Sequence, residues 1–156
     1  MTDAVSLIQQ DHRVLEKLLH QLRDTAVDRV AVVDEVAARL AAHRRATERV
    51  YPLLVAADSS PDRAAGPAPL MPDLGPAEER LDTLRSSDPD SRKFEQALRE
   101  FGDAVTQHIQ AEETEVLAEF AIDDDPTLLE RAGATFDAER VRELLVYGID
   151  DRTPGQ

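Results

Sequence analysis

Apolar residues recur at alternating steps of three and four along most of this chain, which is the spacing of one face of an α-helix. In the first segment the stripe consists of Ile8, His12, Leu15, Leu19 and Leu22. Two later stripes follow the same rule and run Val33, Val36, Leu40, His43, Thr47, Val50, Leu54 and Phe94, Leu98, Phe101, Val105, His108, Glu112, Val116. Because residues three and four apart share a helix face, these stripes predict long helices that bury their apolar sides against one another.

The composition favours one all-α domain. The chain has 156 residues, with no Trp, two Tyr and four Phe, and it contains no run rich in β-branched residues. A chain of this length can bury about two-thirds of the surface that it exposes when unfolded. Cysteine is absent, so disulfides, thiolate metal sites and cysteine nucleophiles are excluded.

The charge and the missing motifs narrow the class of function. A net charge of −14 argues against nucleic acid and against anionic membranes as partners. The chain begins on an amphipathic pattern and has no run of 18 apolar residues, so we expect a cytoplasmic protein. We find no nucleophile elbow, phosphate-binding glycine loop or dinucleotide fingerprint, which argues against a hydrolase or transferase that uses a nucleophile. We expect a binding or sensing protein rather than an enzyme.

Proline and aspartate runs divide the chain into a main domain and an extension. Five of nine prolines lie in residues 58–76, which predicts a loop between the second and third helices. The run Asp123-Asp124-Asp125-Pro126 ends the fourth helix, so residues 1–122 form the predicted four-helix bundle. Residues 123–149 then form a C-terminal helix packed on the bundle, interrupted at Gly133, and residues 150–156 a frayed tail.

Two segments repeat each other and carry metal-type residues at matching places. His12-Arg-Val-Leu-Glu-Lys-Leu corresponds to Glu78-Glu-Arg-Leu-Asp-Thr-Leu, and a histidine follows each: His43 is 31 residues after His12, and His108 is 30 after Glu78. Two similar helix pairs folded together would bring these four positions close. Buried imidazoles beside a carboxylate form either a hydrogen-bonded network or a set of metal ligands.

The motifs resemble those of the hemerythrin-like family of HHE cation-binding domains. The matches are Asp11-His12-Arg in the first helix, His43 followed by Tyr51-Pro52 in the second, and His108-Ile-Gln-Ala-Glu112-Glu113 in the fourth, and they cover about residues 4–121. The resemblance implies an up-down-up-down four-helix bundle that holds two iron ions between its helices. Such proteins bind oxygen, sense oxygen or redox state, or handle iron.

The chain departs from the family pattern at two positions. Thr47 stands where the family has a glutamate four residues after the histidine, and the third helix has no histidine. Glu78, with Asp82 one turn later, is the oxygen ligand that the repeat offers instead, although an exposed acidic helix face explains the same residues. Arg39 offers a competing account, in which its guanidinium neutralises Glu112 or Glu78 in place of a metal.

We therefore expect one or two non-haem iron ions, bound by His12, His43, Glu78, His108 and Glu112. Glu112 is the candidate for a bridging carboxylate, and the expected ligand is oxygen or peroxide. The alternative is a metal-free bundle that acts as a regulatory or protein-interaction module.

Overall fold

A computed structural model describes residues 2–57, 72–123 and 125–151, and every regular element in these ranges is helical. The fold of the described residues is therefore all-α, as predicted, and a C-terminal helix follows the helices that carry the stripes. The elements are α1 (Ala4–Gln21), α2 (Arg29–Ala57), α3 (Gly75–Arg85), α4 (Arg92–Ala111), a π-helical segment (Glu112–Leu117), α5 (Ala118–Asp123) and α6 (Pro126–Val146). The predicted loop lies outside the described residues from 58 to 71, and so does the tail after residue 151.

Short polar side chains start three of the helices. Asp3 accepts a hydrogen bond from the backbone N–H of Ser6 at 2.9 Å. Ser91 and Asp125 cap α4 and α6 in the same way, with donors at Phe94 and Thr127. These side chains satisfy backbone donors that a helix leaves unpaired in its first turn.

The two larger apolar clusters of the bundle interior have a polar layer between them, and a small third cluster joins Ala38 and Ala42 of α2 to Leu144 of α6. One cluster contains residues of all four helices from α1 to α4 and includes Leu15, Leu40 and Val105. The other joins the start of α1 and the end of α2 to the later helices, and includes Ile8 and Ala46. Along each of the three stripes, the histidine lies between residues of the first cluster and residues of the second. The core is therefore polar at the level of the histidines and apolar on both sides of this level.

Helix α6 packs against α1 and α2 and supplies part of the second cluster. Phe136 is fully buried, and its ring meets that of His43 edge to face, with centroids 6.3 Å apart. Gly133 lies so close to the start of α1 that an added Cβ would stand 2.5 Å from the backbone oxygen of Thr2. The predicted interruption at Gly133 is wrong, because α6 is continuous and its glycine allows this close approach.

The stripe from Phe94 to Val116 was predicted to be α-helical throughout, but its last part is not. From Glu112 to Leu117 the backbone is π-helical, and α-helix resumes at Ala118. Such short π-helical segments inside α-helices occur frequently at functional sites. Within the described ranges, no helix has the length and apolarity needed to cross a bilayer.

Candidate metal centre

Three imidazole rings from three helices form the polar layer. His12 on α1 and His43 on α2 are fully buried, and His108 on α4 is 5% exposed. The ring centroids of His12 and His43 are 5.0 Å apart, and that of His108 lies 6.3 and 5.7 Å from them. The structure thus brings together the three histidines that the stripes placed on core faces.

Glu112 joins the three rings. Its Oε1 lies 2.9 Å from His12 Nε2 and 3.0 Å from His43 Nε2, and the carboxylate is almost completely buried. Its Oε2 lies 3.2 Å from His108 Nε2 as an ion-pair contact, and neither ring nitrogen of His108 has a hydrogen-bond partner among the described residues. A buried nitrogen without a partner is costly, so His108 is a group available for a further interaction.

Two outer carboxylates orient two of the rings. Asp11 Oδ2 lies 2.8 Å from His43 Nδ1, and Glu113 Oε1 lies 2.9 Å from His12 Nδ1. Arg13 donates a 2.6 Å hydrogen bond to the same oxygen of Glu113. Histidine ligands in metal sites commonly donate their second ring N–H to a carboxylate in this way. Both rings therefore direct Nε2 to the centre.

The charges of the layer compensate each other. Burial alone raises the pKa of Glu112, but the positive charge of His43 and the contacts with the three imidazoles lower it well below its usual 4.5. Burial likewise lowers the pKa of His43, but the carboxylates of Glu112 and Asp11 outweigh this effect and raise it to about 10. In the metal-free layer, the proton of His43 is thus the cation that balances Glu112.

Tyr51 adds a buried hydroxyl beside this layer. The side chain is 3% exposed, and its oxygen has no hydrogen-bond partner among the described residues. Burial, and then the nearby charge of Glu112, raise the pKa of the phenol, so it is uncharged at neutral pH. A buried phenol beside Glu112 can donate to this carboxylate or to a group that enters the centre.

The donor set fits one metal ion. One nitrogen from each histidine and one oxygen of Glu112 all lie within 4.8 Å of one another. Two ligands on opposite sides of an ion with ~2.1 Å bonds are about 4.2 Å apart, so small side-chain movements would close this shell. Imidazole and carboxylate together suit iron and other first-row divalent ions. These four residues could therefore hold a metal ion.

A family comparison agrees with this geometry. The family model of the hemerythrin HHE cation-binding domain matches the sequence over residues 3–120, which is most of the chain. The chain belongs to this family. Searches of curated proteins and of solved structures gave no match.

Compared with the hemerythrin pattern described above, this member departs at two ligand positions. Thr47 is buried beside the centre, and its hydroxyl donates to the backbone oxygens of His43 and Arg44, both at 3.0 Å. Glu78 is not brought to the three histidines: its side chain is 38% exposed and pairs with Arg44 on the outside of α2. Among the described residues, one group of histidine and acidic side chains is close enough together to hold a metal ion, and Glu78 does not belong to it.

The alternative based on Arg39 does not match the contacts of that residue. Its guanidinium lies 3.6 Å from carboxylates of Glu35 and Asp151, and not against Glu112 or Glu78. Arg39 therefore does not occupy the place of a metal in the layer.

A cavity of about 280 Å³ lies beside Thr47 and the centre. Its wall includes the buried Thr47, His108 and Glu112 and also the exposed side chains of Arg44 and Asp73. It therefore connects the centre with the surface between α2 and the start of α3. Its volume is several times the ~30 Å³ of a water molecule, so a diatomic molecule or a peroxide fits.

The outer carboxylates were missed as functional residues, although both lie in the matched motifs. Asp11 is 5% exposed and stands three residues after Ile8 and four before Leu15, so its place on the apolar stripe was a usable signal. Glu113 gave no such signal, because its position depends on the π-helical segment that begins at Glu112. Its partner on α1 is 101 residues away in the chain.

Proposed function

We propose that this hemerythrin-family protein binds a single non-haem iron ion through His12, His43, His108 and Glu112, and that the centre binds or senses oxygen or peroxide. The observation that carries the proposal is the contact of three Nε2 atoms with one buried carboxylate, in a group whose four ligand atoms lie within 4.8 Å of one another. The family match to a cation-binding domain supports the same conclusion.

The donor count favours one ion over two. Three imidazoles and one carboxylate make a nearly complete shell for a single iron, with positions left for an outside ligand. A second ion would need protein ligands near Thr47, whose hydroxyl is already engaged with its own helix. Glu78, the remaining sequence candidate, is committed to Arg44 on the outer face.

The residues around the ligands define what the centre can do. An iron ion with free coordination positions supplies the redox chemistry that oxygen and peroxide require. The cavity beside Thr47 is the route for such a small molecule, and the Tyr51 hydroxyl is a hydrogen-bond donor held next to Glu112. The apolar clusters above and below the layer exclude bulk water.

Iron must compete with a proton for this site. The pKa of His43 is raised to about 10, so its Nε2 carries a proton at neutral pH in the metal-free protein. A metal ligand has to be deprotonated. We therefore expect metal binding to release at least one proton per chain near pH 7.5, which calorimetry in buffers of different ionisation enthalpy measures directly.

Metal analysis after anaerobic loading with Fe(II) tests the proposal. We expect about one iron per chain in the wild type, and at least a tenfold loss in His108→Ala, because that variant removes one of four ligands. His20→Ala is the matched control, since His20 is on α1 but exposed. Equal iron in all three proteins, or none in the wild type, contradicts the proposal. An optical spectrum of the iron-loaded protein, recorded before and after the addition of oxygen or peroxide, tests whether either molecule binds to the centre.

The opposite charges of His43 and Glu112 support one alternative function, that of a metal-free regulatory or interaction module. The ion pair between His43 and Glu112 satisfies both groups without a metal. This candidate predicts an unchanged melting temperature with Fe(II). A ligand at 100 times its Kd stabilises the native state by about 2.7 kcal/mol, so a clear rise in melting temperature excludes the module.

A further inference from the structure

A second cavity, of about 480 Å³, lies on another side of the bundle between α1, α2 and α6. Three cationic side chains line it, Lys17, Arg39 and Arg140, although the chain as a whole carries a charge of −14. We propose that this cavity binds a small organic anion with a single carboxylate head, and that Asp151 occupies the head position when the ligand is absent. The proposal does not depend on a metal.

Arg39 is the first observation behind this inference. Its side chain is 12% exposed, and its Nε is buried without a hydrogen-bond partner among the described residues. Its contacts with Glu35 and Asp151 are both 3.6 Å long, which is beyond hydrogen-bond distance. A nearly buried guanidinium whose Nε lacks a hydrogen-bond partner is costly, and a carboxylate matches its planar set of N–H groups.

Asp151 is the second observation, because it shows where a carboxylate fits. One oxygen, Oδ2, accepts a hydrogen bond from Arg140 Nη1 and also faces Arg39 Nη1. Arg140 is 15% exposed and is held in place by a second hydrogen bond, 2.9 Å long, to Asp137. Asp151 itself is 36% exposed and follows the last helix, so a ligand can displace it without breaking a helix.

The walls indicate the class of ligand. Leu7, Val14 and Leu18 line the cavity beside the charged groups, which suits a ligand with a short apolar body. Asp11 and Glu35 also line it, and their negative charges disfavour a phosphate dianion relative to a monoanion. A cavity of this size is within the usual range for small-molecule sites. A short-chain monocarboxylate combines these properties.

Calorimetric titration of the full-length protein with butyrate tests the site. We expect Asp151→Asn to bind butyrate ~10-fold more tightly than the wild type, because a tethered competing carboxylate is removed. We expect Arg39→Gln to bind ~10-fold or more weakly than the wild type, because the charged, forked donor is lost. Arg142→Gln is the control, since Arg142 is on α6 but 74% exposed.

Three further measurements make the test decisive. Butyramide has the same body without the charge, and inorganic phosphate is an anion of the wrong class; both should bind at least ~10-fold more weakly than butyrate. If Arg39→Gln does not fold by circular dichroism, Arg39→Lys keeps the charge, and we expect it to bind weakly because it lacks the planar fork. The proposal is overturned if Asp151→Asn shows no saturable butyrate binding, if the Arg39 variant binds like the wild type, or if phosphate or butyramide binds as tightly.

Discussion

Replacing Glu112 with Gln removes the one negative charge that all three imidazoles contact, while the volume of the side chain is kept. Glu112 is 1% exposed, and it lies 2.9 Å from His12 Nε2 and 3.0 Å from His43 Nε2. In the metal-free protein this carboxylate is the first reason that the pKa of His43 is raised against the effect of burial. The substitution should therefore destabilise the fold through His43.

The magnitude follows from the pKa of His43. Its folded value of about 10 exceeds the unfolded value of 6.5, so its proton stabilises the native state fully below pH 6.5, and this stability is lost as the pH rises through 10. At pH 7.5 the pH is still below the folded pKa of about 10, and this difference corresponds to roughly 3 kcal/mol of stability, because one pH unit equals about 1.4 kcal/mol. Asp11 provides part of this effect, so we expect Glu112→Gln to cost about 2 kcal/mol at pH 7.5.

Urea unfolding of the metal-free proteins at pH 7.5 and pH 10 is the assay. The wild type should lose stability between these values, and the difference between the wild type and Glu112→Gln should shrink to less than about 1 kcal/mol at pH 10. Glu115→Gln is the matched control, because Glu115 lies in the same π-helical segment and is exposed. Equal stability at pH 7.5, or an undiminished difference at pH 10, would refute the electrostatic reasoning.

Three further substitutions test the supporting parts of the structure. Asp11→Asn removes the carboxylate that orients His43, so we expect the Fe(II) affinity to fall by about 10- to 100-fold in a chelator competition titration. Phe136→Ala empties a fully buried position against the His43 ring, and we expect urea unfolding to show a loss of about 3–5 kcal/mol. Gly133→Ala places a Cβ 2.5 Å from a backbone oxygen, so we expect a loss of about 1–3 kcal/mol in the same assay. Gly102→Ala is its control, because a Cβ there meets nothing within 4 Å and alanine favours a helix.

Each of these expectations has a clear counter-result. Unchanged iron affinity in Asp11→Asn would mean that its carboxylate does not orient a ligand. A loss below about 1 kcal/mol for Phe136→Ala would mean that α6 is not part of the core. Equal effects of the two glycine substitutions would mean that α6 does not approach the start of α1 closely.

Much of the fold could be predicted because the local signals agree. The stripes through His12, His43 and His108 predicted helices whose buried faces carry these rings, and the rings do meet. The first stripe, from Ile8 to Leu22, falls on α1 and its C-cap, and the second, from Val33 to Leu54, lies within α2. Periodicity is informative here because a helix face repeats along the same segment that forms it.

The position of Glu78 depended on contacts that a repeat does not specify. The repeat aligned Glu78 with His12, but α3 turns Ala77, Leu81 and Leu84 into the core. This rotation leaves Glu78 next to Arg44 of α2, where an exposed ion pair satisfies it. The match of two short segments therefore identified related helices without fixing which residue of α3 faces the centre.

The π-helical segment and the outer carboxylates were missed for a similar reason. A π-helical segment depends on packing around Glu112, and the sequence from 92 to 123 has no glycine or proline at that point to mark it. The pairs Asp11 with His43 and Glu113 with His12 join different helices. Only the assembled bundle shows which nitrogen each carboxylate contacts.

The most direct test of a one-ion centre is an anomalous difference map from crystals grown with Fe(II). The account predicts one peak per chain, located between the Nε2 atoms of His12, His43 and His108 and the carboxylate of Glu112. Two peaks, with the second near Thr47 or Glu78, would contradict the single-ion assignment. A map with no peak in this layer would contradict the metal centre itself.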